Sequence, residues 1–531
     1  MPLIANESKW YEDIIPLTDG IVTWWPPEIS PKGSSAKLEG WYELRRELRK
    51  SPGKLRRSDL DSAVRGIHYY WGPSNAEDFL LIHTLSNVFK TRDLVAYQNI
   101  YGFVDPPIPT KRDAVSYATI TIPTARRVLW TDGVRPPVEH DPATGVNVNM
   151  TLPTGVTQAK IVRFFKARTL LIDVVESGVR QGQRIWHSVP FTYNNWSTID
   201  GAGTDEYAEG GGHVVQALEF NDAMVLFKEH RIGAIQATGD ELFPFRVQDF
   251  PEVPGTIFPN SPVVTPRGIL YLAYDGVRLF DGQRSILISG QAGFDVAAVA
   301  ADQRDAVVGH WDLRLQRYLL AQPKPGSSDN DTLWEFHFAT NEAQLLNQGQ
   351  LYKRRQTIAR TGEFLRRSPL RCRDLPVLCK RVPFTCTDPE MSGAFPAFIS
   401  GDYTGGFFEQ EMLTDDDGRP LTAVVELGPY PKDPMVTNHL GKAVTDIKFR
   451  GRFTKNSLMT VEVRPTHTQE WVPLPEVVEF NTDRYSVTIS GDGIEGEQFF
   501  VRLTDSGQFS WTRVYSLVIF GTHSGAAWRD V

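Results

Sequence analysis

Short apolar runs, each bounded by Gly, Pro, Asn or Asp, recur along most of this chain. The cadence is densest between Val214 and Ile288. Val214 to Phe220, Ala223 to Lys228 and Ile232 to Thr238 make one meander, and Gly268 to Ala273 with Val277 to Phe280 make the next. Tyr274, Asp275, Gly276 and then Phe280, Asp281, Gly282 stand at the ends of such runs. An Asp-Gly pair there supplies the positive φ that a tight hairpin turn demands, so the chain is expected to reverse about every ten residues and return antiparallel. That is the pattern of a β-propeller blade.

The same grammar extends in both directions. Phe79 to His83 with Asn87 to Lys90, Ala114 to Ile122 with Arg127 to Trp130, and Ala159 to Phe165 with Thr169 to Val175 pair as strands. A further strand leads into Ile185, Trp186, His187 and Ser188, and later Ala306 to Trp311, Gln316 to Ala321 and Thr332 to Phe338 follow one another. Strands at this spacing without crossover helices predict an all-β chain, with an irregular β-propeller of about six or seven blades over 63–405. No fixed-length repeat is legible, and Trp311-Asp312 occurs without a recurring Gly-His partner.

The ends read differently. Residues 1–62 are expected to form an extended arm, in which Trp24, Trp25, Pro26 and Pro27 break regular structure, followed by a short amphipathic helix from the spacing of Trp41, Leu44 and Leu48. Residues 406–531 read as a linker, with Asp415 to Gly418 and Pro429, Pro431 and Pro434, and then a β-sandwich. Its strands are Val444 to Arg450, Ser457 to Arg464, Arg484 to Ile489, Gln498 to Leu503 and Thr512 to Phe520. Period-two alternation sets Phe499, Val501 and Leu503 against Phe500, Arg502 and Thr504.

Composition narrows the chemistry. The 531 residues suit more than one unit, and the net charge of −8 argues against a protein built mainly to grip phosphate. Cys372, Cys379 and Cys386 are too few for a disulfide framework and lack the four-ligand knuckle of structural zinc, so no metal or other cofactor is expected. Met1 to Leu17 carries Glu7, Glu12 and Asp13 without a basic start and apolar stretch, so no leader is expected, and no apolar window is long enough to span a bilayer. Nucleophile elbows, phosphate loops and His-Glu-x-x-His helices are missing, and His83, His187, His310 and His337 fall inside strand-like runs, as core histidines do. The chain therefore reads as a non-enzyme with no catalytic residues. The competing reading is a carbohydrate-binding or glycoside-hydrolysing propeller that recognises a receptor, for which Trp24, Trp25, Tyr193 and Trp196 are the candidate aromatic platforms.

Two basic tracts stand out. One holds Arg45, Arg46, Arg49, Lys50, Lys54, Arg56 and Arg57; the other runs from Lys353, Arg354 and Arg355 through Arg360, Arg366, Arg367, Arg371 and Arg373 to Lys380 and Arg381. A solvated face or salt bridges between subunits is one reading, and contact with DNA or an acidic neighbour through Arg45, Arg46, Arg49, Arg354, Arg355, Arg366 and Arg367 is the other.

The run Ile185, Trp186, His187, Ser188 with Trp196, the meander through Met224, Val225, Leu226, Phe227 and Lys228, and Gly268 to Leu272 with Asp275, Gly276, Val277, Asp281 and Gly282 resemble the propeller of bacteriophage tail nozzle or tail tubular proteins. The C-terminal strands after Gly401, Gly405, Asp417 and Gly418 resemble the tail region of the same short-tailed-phage proteins. The resemblance implies a virion structural protein of the tail, assembled in the host cytoplasm into a homo-oligomeric ring, a hexamer. It also implies a head-tail adaptor on one side, tail fibre or needle proteins as further partners, and genomic DNA passing through the lumen on ejection.

Overall fold

The computed structural model describes residues 9–14, 35–44, 47–103, 110–111, 113–240, 243–289, 299–337, 350–366, 395–413, 419–431, 440–453, 457–474, 478–479, 484–507 and 512–527. Within them the chain is all-β, and the only helical turns are the 3-10 segments Asn75–Glu77, Thr198–Asp200 and Ala301–Ala306. Six four-stranded antiparallel sheets and a seventh group of four, at one end of a ten-stranded sheet, account for 53–413.

These are numbered I to VII along the chain, and each begins with an inner strand. The inner strands are Gly66–Tyr70, Ser116–Ile122, Val156–Phe165, Val214–Phe220, Val263–Thr265, Val308–Asp312 and Arg360–Arg366. Each inner strand lies beside the next, and that of sheet VII lies beside that of sheet I, so the succession returns on itself. Sheet VII takes its fourth strand, Gly53–Asp59, from the chain ahead of sheet I.

Local chemistry explains the reversals. Phe220 pairs with Ala223 across Asn221 and Asp222, whose φ values of 47° and 64° are the left-handed pair that matches the twist of a two-residue hairpin. In sheet V the turn itself is Tyr274-Asp275, and Gly276 opens the returning strand at φ 135°. A side chain on Gly276 would begin 2.3 Å from the Ser289 hydroxyl, so glycine is required there by close approach as well as by φ.

Each junction between neighbouring sheets holds its own apolar cluster. Phe79, Leu81 and Val88 of sheet I meet Val128, Trp130 and Val138 of sheet II; Leu270, Leu272 and Val277 of sheet V meet Tyr318, Leu320 and Phe336 of sheet VI. Leu80 and Ile82 meet Phe364, Ile399 and Phe407 where sheet VII returns to sheet I. Sheets covered on both faces explain why Phe79–His83 and Gly268–Ala273 are buried along their whole length instead of at alternate residues.

Both ends of the chain build the remaining structure together. One sheet runs Trp41–Leu44, Glu47–Lys50, Arg513–Ala527, Leu440–Phe453 and Arg484–Gly496, with Lys9–Ile14 paired to the Arg513–Ala527 strand. The other contains Ser35–Glu39, Ala423–Tyr430, Phe499–Asp505 and Leu458–Pro465, and continues into sheet VI through Gly40, whose N–H donates to Lys353 O at 2.8 Å. The two share one core that includes Trp41, Leu48, Val425, Phe449, Val461, Phe499, Leu503 and Leu517. Phe499, Val501 and Leu503 point into it, as the period-two pattern predicts.

The expected helix at Trp41 to Lys50 is instead a strand pair. Trp41 faces Lys50 and Glu43 faces Leu48, so Trp41, Leu48 and Lys50 share one buried face. Spacing of three and four over so few residues also fits a hairpin. Pairing of Leu48 with Val514 then supplies ladder bonds that local sequence cannot foresee. Trp24 and Trp25, Asp415 to Gly418, Pro434 and the three cysteines lie outside the described residues.

Candidate functional site

Residues of the inner strands of sheets I to IV, with the segments leading into sheets II, V and VI, line a cavity of about 260 Å³. Its most connected side chain is Arg163 of sheet III. Nη1 donates to Ser116 Oγ at 2.7 Å and Tyr117 O at 3.1 Å in sheet II, Nε donates to Ala217 O at 2.6 Å in sheet IV, and Nη2 donates to Gln216 Oε1 at 2.7 Å. Its partners are neutral, and burial lowers its pKa to about 10, still far above neutrality. One guanidinium therefore ties three successive sheets.

The bonding continues around the ring. Gln216 Nε2 donates to Pro259 O at 2.8 Å ahead of sheet V, and Asn260 Nδ2 donates to Asp305 O at 2.7 Å ahead of sheet VI. Thr361 Oγ1 of sheet VII donates to Gly309 O of sheet VI at 3.3 Å, Arg360 Nε donates to Arg65 O at 2.9 Å, and Val115 N donates back to Arg65 O at 3.3 Å. The belt thus closes. His68 stacks on Tyr117 at 4.7 Å and shares a hydrogen bond with Thr119 Oγ1 at 3.0 Å; its enclosure, then the Arg163 charge, lower its pKa to about 4 and keep it neutral.

A second polar centre lies between sheets VI and VII. Arg317, fully buried, pairs with Asp312 at 2.9 Å and with Glu335 and Glu411; Arg354 pairs with Glu335 at 2.9 Å, and Arg314 with Glu411. Burial alone would raise the Glu335 pKa, but Arg354 and Arg317 outweigh it and hold the carboxyl below its usual range. Glu411 reaches the group from a bulge, at a φ of 62° that a side chain rarely adopts.

The candidate contact arginines are not gathered on one face. Arg354 is buried and also donates to Pro52 O at 3.1 Å, so it is a strut and cannot meet a phosphate at the surface; its conversion to an interior residue follows from the carboxylates of sheets VI and VII that surround it. Arg49 is half-buried opposite Tyr42 and Arg513. Arg355 and Arg366 lie on strands Gln350–Arg355 and Arg360–Arg366, and Arg45, Arg46 and Arg367 lie outside the described residues. Their neighbours also turn inward: Lys50 pairs with Asp505 at 3.3 Å, Lys54 sits 4.0 Å over Phe408, and Arg57 Nε donates to Glu409 at 2.8 Å. Tyr193 and Trp196 pack against the cluster between sheets II and III, and Trp196 Nε1 donates to Thr151 O at 2.8 Å.

Sequence reading missed Arg163, Gln216 and Asn260, whose partners are carbonyls of other sheets and leave no local signal. Among the described residues no group of three or more His, Cys, Asp or Glu could hold a metal, and no helix is long and apolar enough to cross a membrane.

No family model matches the chain. No curated protein matches it either. Among solved structures, the computationally designed protein Ika8 is 10% identical over 75% of this chain and 99% of its own, at a TM-score of 0.36. The extracellular domain of BT4673 from B. thetaiotaomicron is 10% identical over 86% of this chain and 57% of its own, at 0.39. Hsv2 of Kluyveromyces lactis is 13% identical over 54% and 77%, at 0.31. Likeness this slight assigns neither family nor activity.

Proposed function

We propose that this chain is a non-enzymatic structural subunit of a short-tailed phage tail nozzle, folded as a seven-bladed β-propeller joined to a β-sandwich that both chain ends build. The observation that carries the reading is the closed belt of hydrogen bonds from Arg163 through Gln216, Asn260, Thr361 and Arg360 to Arg65. The polar side chains of this belt bind carbonyls of the neighbouring blade, so their bonding capacity goes into bracing. A part that bears the pressure of packaged DNA needs such bracing. Catalysis would need the same groups free to meet a substrate.

The sandwich supports the reading in the same way. It continues from blade VI through Gly40 and ties residues from 35 to 527, so opening the ring would require breaking a second core. On this reading copies of the chain assemble as a homohexameric ring. The ring contacts the head-tail adaptor and fibre or needle proteins, and DNA leaves through the lumen between subunits, which the net charge of −8 keeps from gripping it. Electron microscopy and light scattering of the purified chain, alone and with adaptor, test this. Closed rings that dock on the adaptor are expected; a chain that stays monomeric in both mixtures overturns the proposal.

A further inference from the structure

We propose that the end-built sheet continues from copy to copy, residues 486–489 of one subunit pairing antiparallel with Lys9–Ile14 of the next. This rests on the homo-oligomeric ring of the preceding reading and names the contact that closes it. Arg484–Gly496 is the last strand of its sheet and is 13 residues long. The outer strands of sheets II, III and V are only three or four residues long: Asn147–Asn149, Gly203–Glu206 and Ser285–Leu287. A long edge presents a row of N–H and C=O groups that templates pairing with another chain, and proteins normally blunt it with charge, proline or a bulge. Residues 486–489 carry none of these. They are Ser486, Val487, Thr488 and Ile489, in unbroken register from Arg450↔Ser486 to Ile447↔Ile489, and three of the four are β-branched strand formers. On the other side of the same sheet Lys9–Ile14 pairs with residues 517–522, also in unbroken register, and no strand among the described residues takes its outer side.

Strand direction makes the two edges fit. From Lys9–Ile14 the sheet takes three antiparallel steps, through Arg513–Ala527 and Leu440–Phe453 to Arg484–Gly496, so these two edge strands run in opposite directions. Rotation about an axis that lies along the strands keeps every strand's direction. The Arg484–Gly496 strand of one copy therefore meets the Lys9–Ile14 strand of the next antiparallel, and copies placed around the axis close the sheet on itself, which removes both edges. Pairing of the Arg484–Gly496 strand with its own copy across a twofold axis is antiparallel too. That arrangement leaves the Lys9–Ile14 edge open and stops at two copies.

The test is hydrogen exchange by mass spectrometry on the full chain, above and below the concentration at which light scattering reports rings. Amides of residues 486–489 and 9–14 should gain protection together on assembly. Ser486→Asp combined with Thr488→Asp should raise the assembly midpoint roughly tenfold, because two carboxylates would then lie beside a strand that carries Glu12 and Asp13. Both side chains are exposed, so the thermal melt of the dilute subunit should not move. Lysine at the same two positions should weaken assembly less than aspartate does. Rings in which either segment exchanges as fast as in the subunit, or rings that form equally well with the two aspartates, overturn this contact and leave the ring assignment standing. Particles of two copies with residues 486–489 alone protected, or a chain that is monomeric at every concentration, overturn both.

Discussion

The seven-sheet ring and the two-sheet structure made from the chain ends are stabilised differently. The end-built part has one continuous apolar core, with period-two burial on strands such as Leu458–Pro465 and Phe499–Asp505. The ring divides its apolar contacts among separate clusters, one at each junction, and adds polar bonds from sheet to sheet. A single core can absorb a local defect by relaxing around it, whereas a ring transmits a failed junction to both neighbours. The buried imidazoles are distributed unequally as well: the fully or nearly buried histidines His83, His140, His187, His310 and His337 all belong to the ring.

That asymmetry predicts the largest effect, which is acid. Burial lowers the pKa of His140, His187 and His310 to about 4 from the ordinary 6.5. The unfolded chain then binds more protons than the folded one, so their contribution is whole above pH 6.5, falls as pH drops through 6.5, and is lost by about pH 4. Hydrogen exchange followed by mass spectrometry across this window should show sheets II, III and VI losing protection before the end-built core. Simultaneous loss in both parts would break the comparison.

Arg317→Met should come next, costing about 4 kcal/mol in denaturant unfolding, because buried Asp312 would lose its ion-pair partner and Glu335 and Glu411 would keep only Arg354 and Arg314. Leu503→Ala opens a cavity in the single core and should cost about 3 kcal/mol, with a shift in midpoint and no change in slope. Arg163→Met removes the bracket across three sheets and should cost about 2 kcal/mol. Smallest is Thr361→Val, which deletes one link between sheets VI and VII for about 1 kcal/mol. If Arg163→Met and Thr361→Val leave the ring's exchange protection unchanged, the polar belt is not what holds it.

How much of this was legible depended on whether a residue's partner lay nearby in sequence. Phe79–His83, Val214–Phe220, Ala223–Lys228 and Gly268–Ala273 match the apolar runs to the residue, because hairpin partners sit across short turns. Outer strands such as Asn147–Asn149 and Ser285–Leu287 did not stand out, since short edge strands carry little apolar signal. The basic tracts point, from sequence, to a solvated face, to salt bridges between subunits or to an acidic partner, because charge runs usually serve solvation and pairing. Arg354 and Lys50 are interior because carboxylates from distant strands, Glu335 and Asp505, meet them there.

The amino-acid order by itself determined that the chain is all-β, where its tight hairpins fall, and which positions of the C-terminal strands face inward, because these depend on backbone geometry and on neighbours a few residues away. Only the tertiary structure decided that Gly53–Asp59 completes the last sheet beside Gly406–Leu413, that Trp41 to Lys50 is a strand pair, and that Arg163 joins three sheets. Those outcomes depend on hydrogen-bond partners tens to hundreds of residues away, which exist only after the chain has closed on itself.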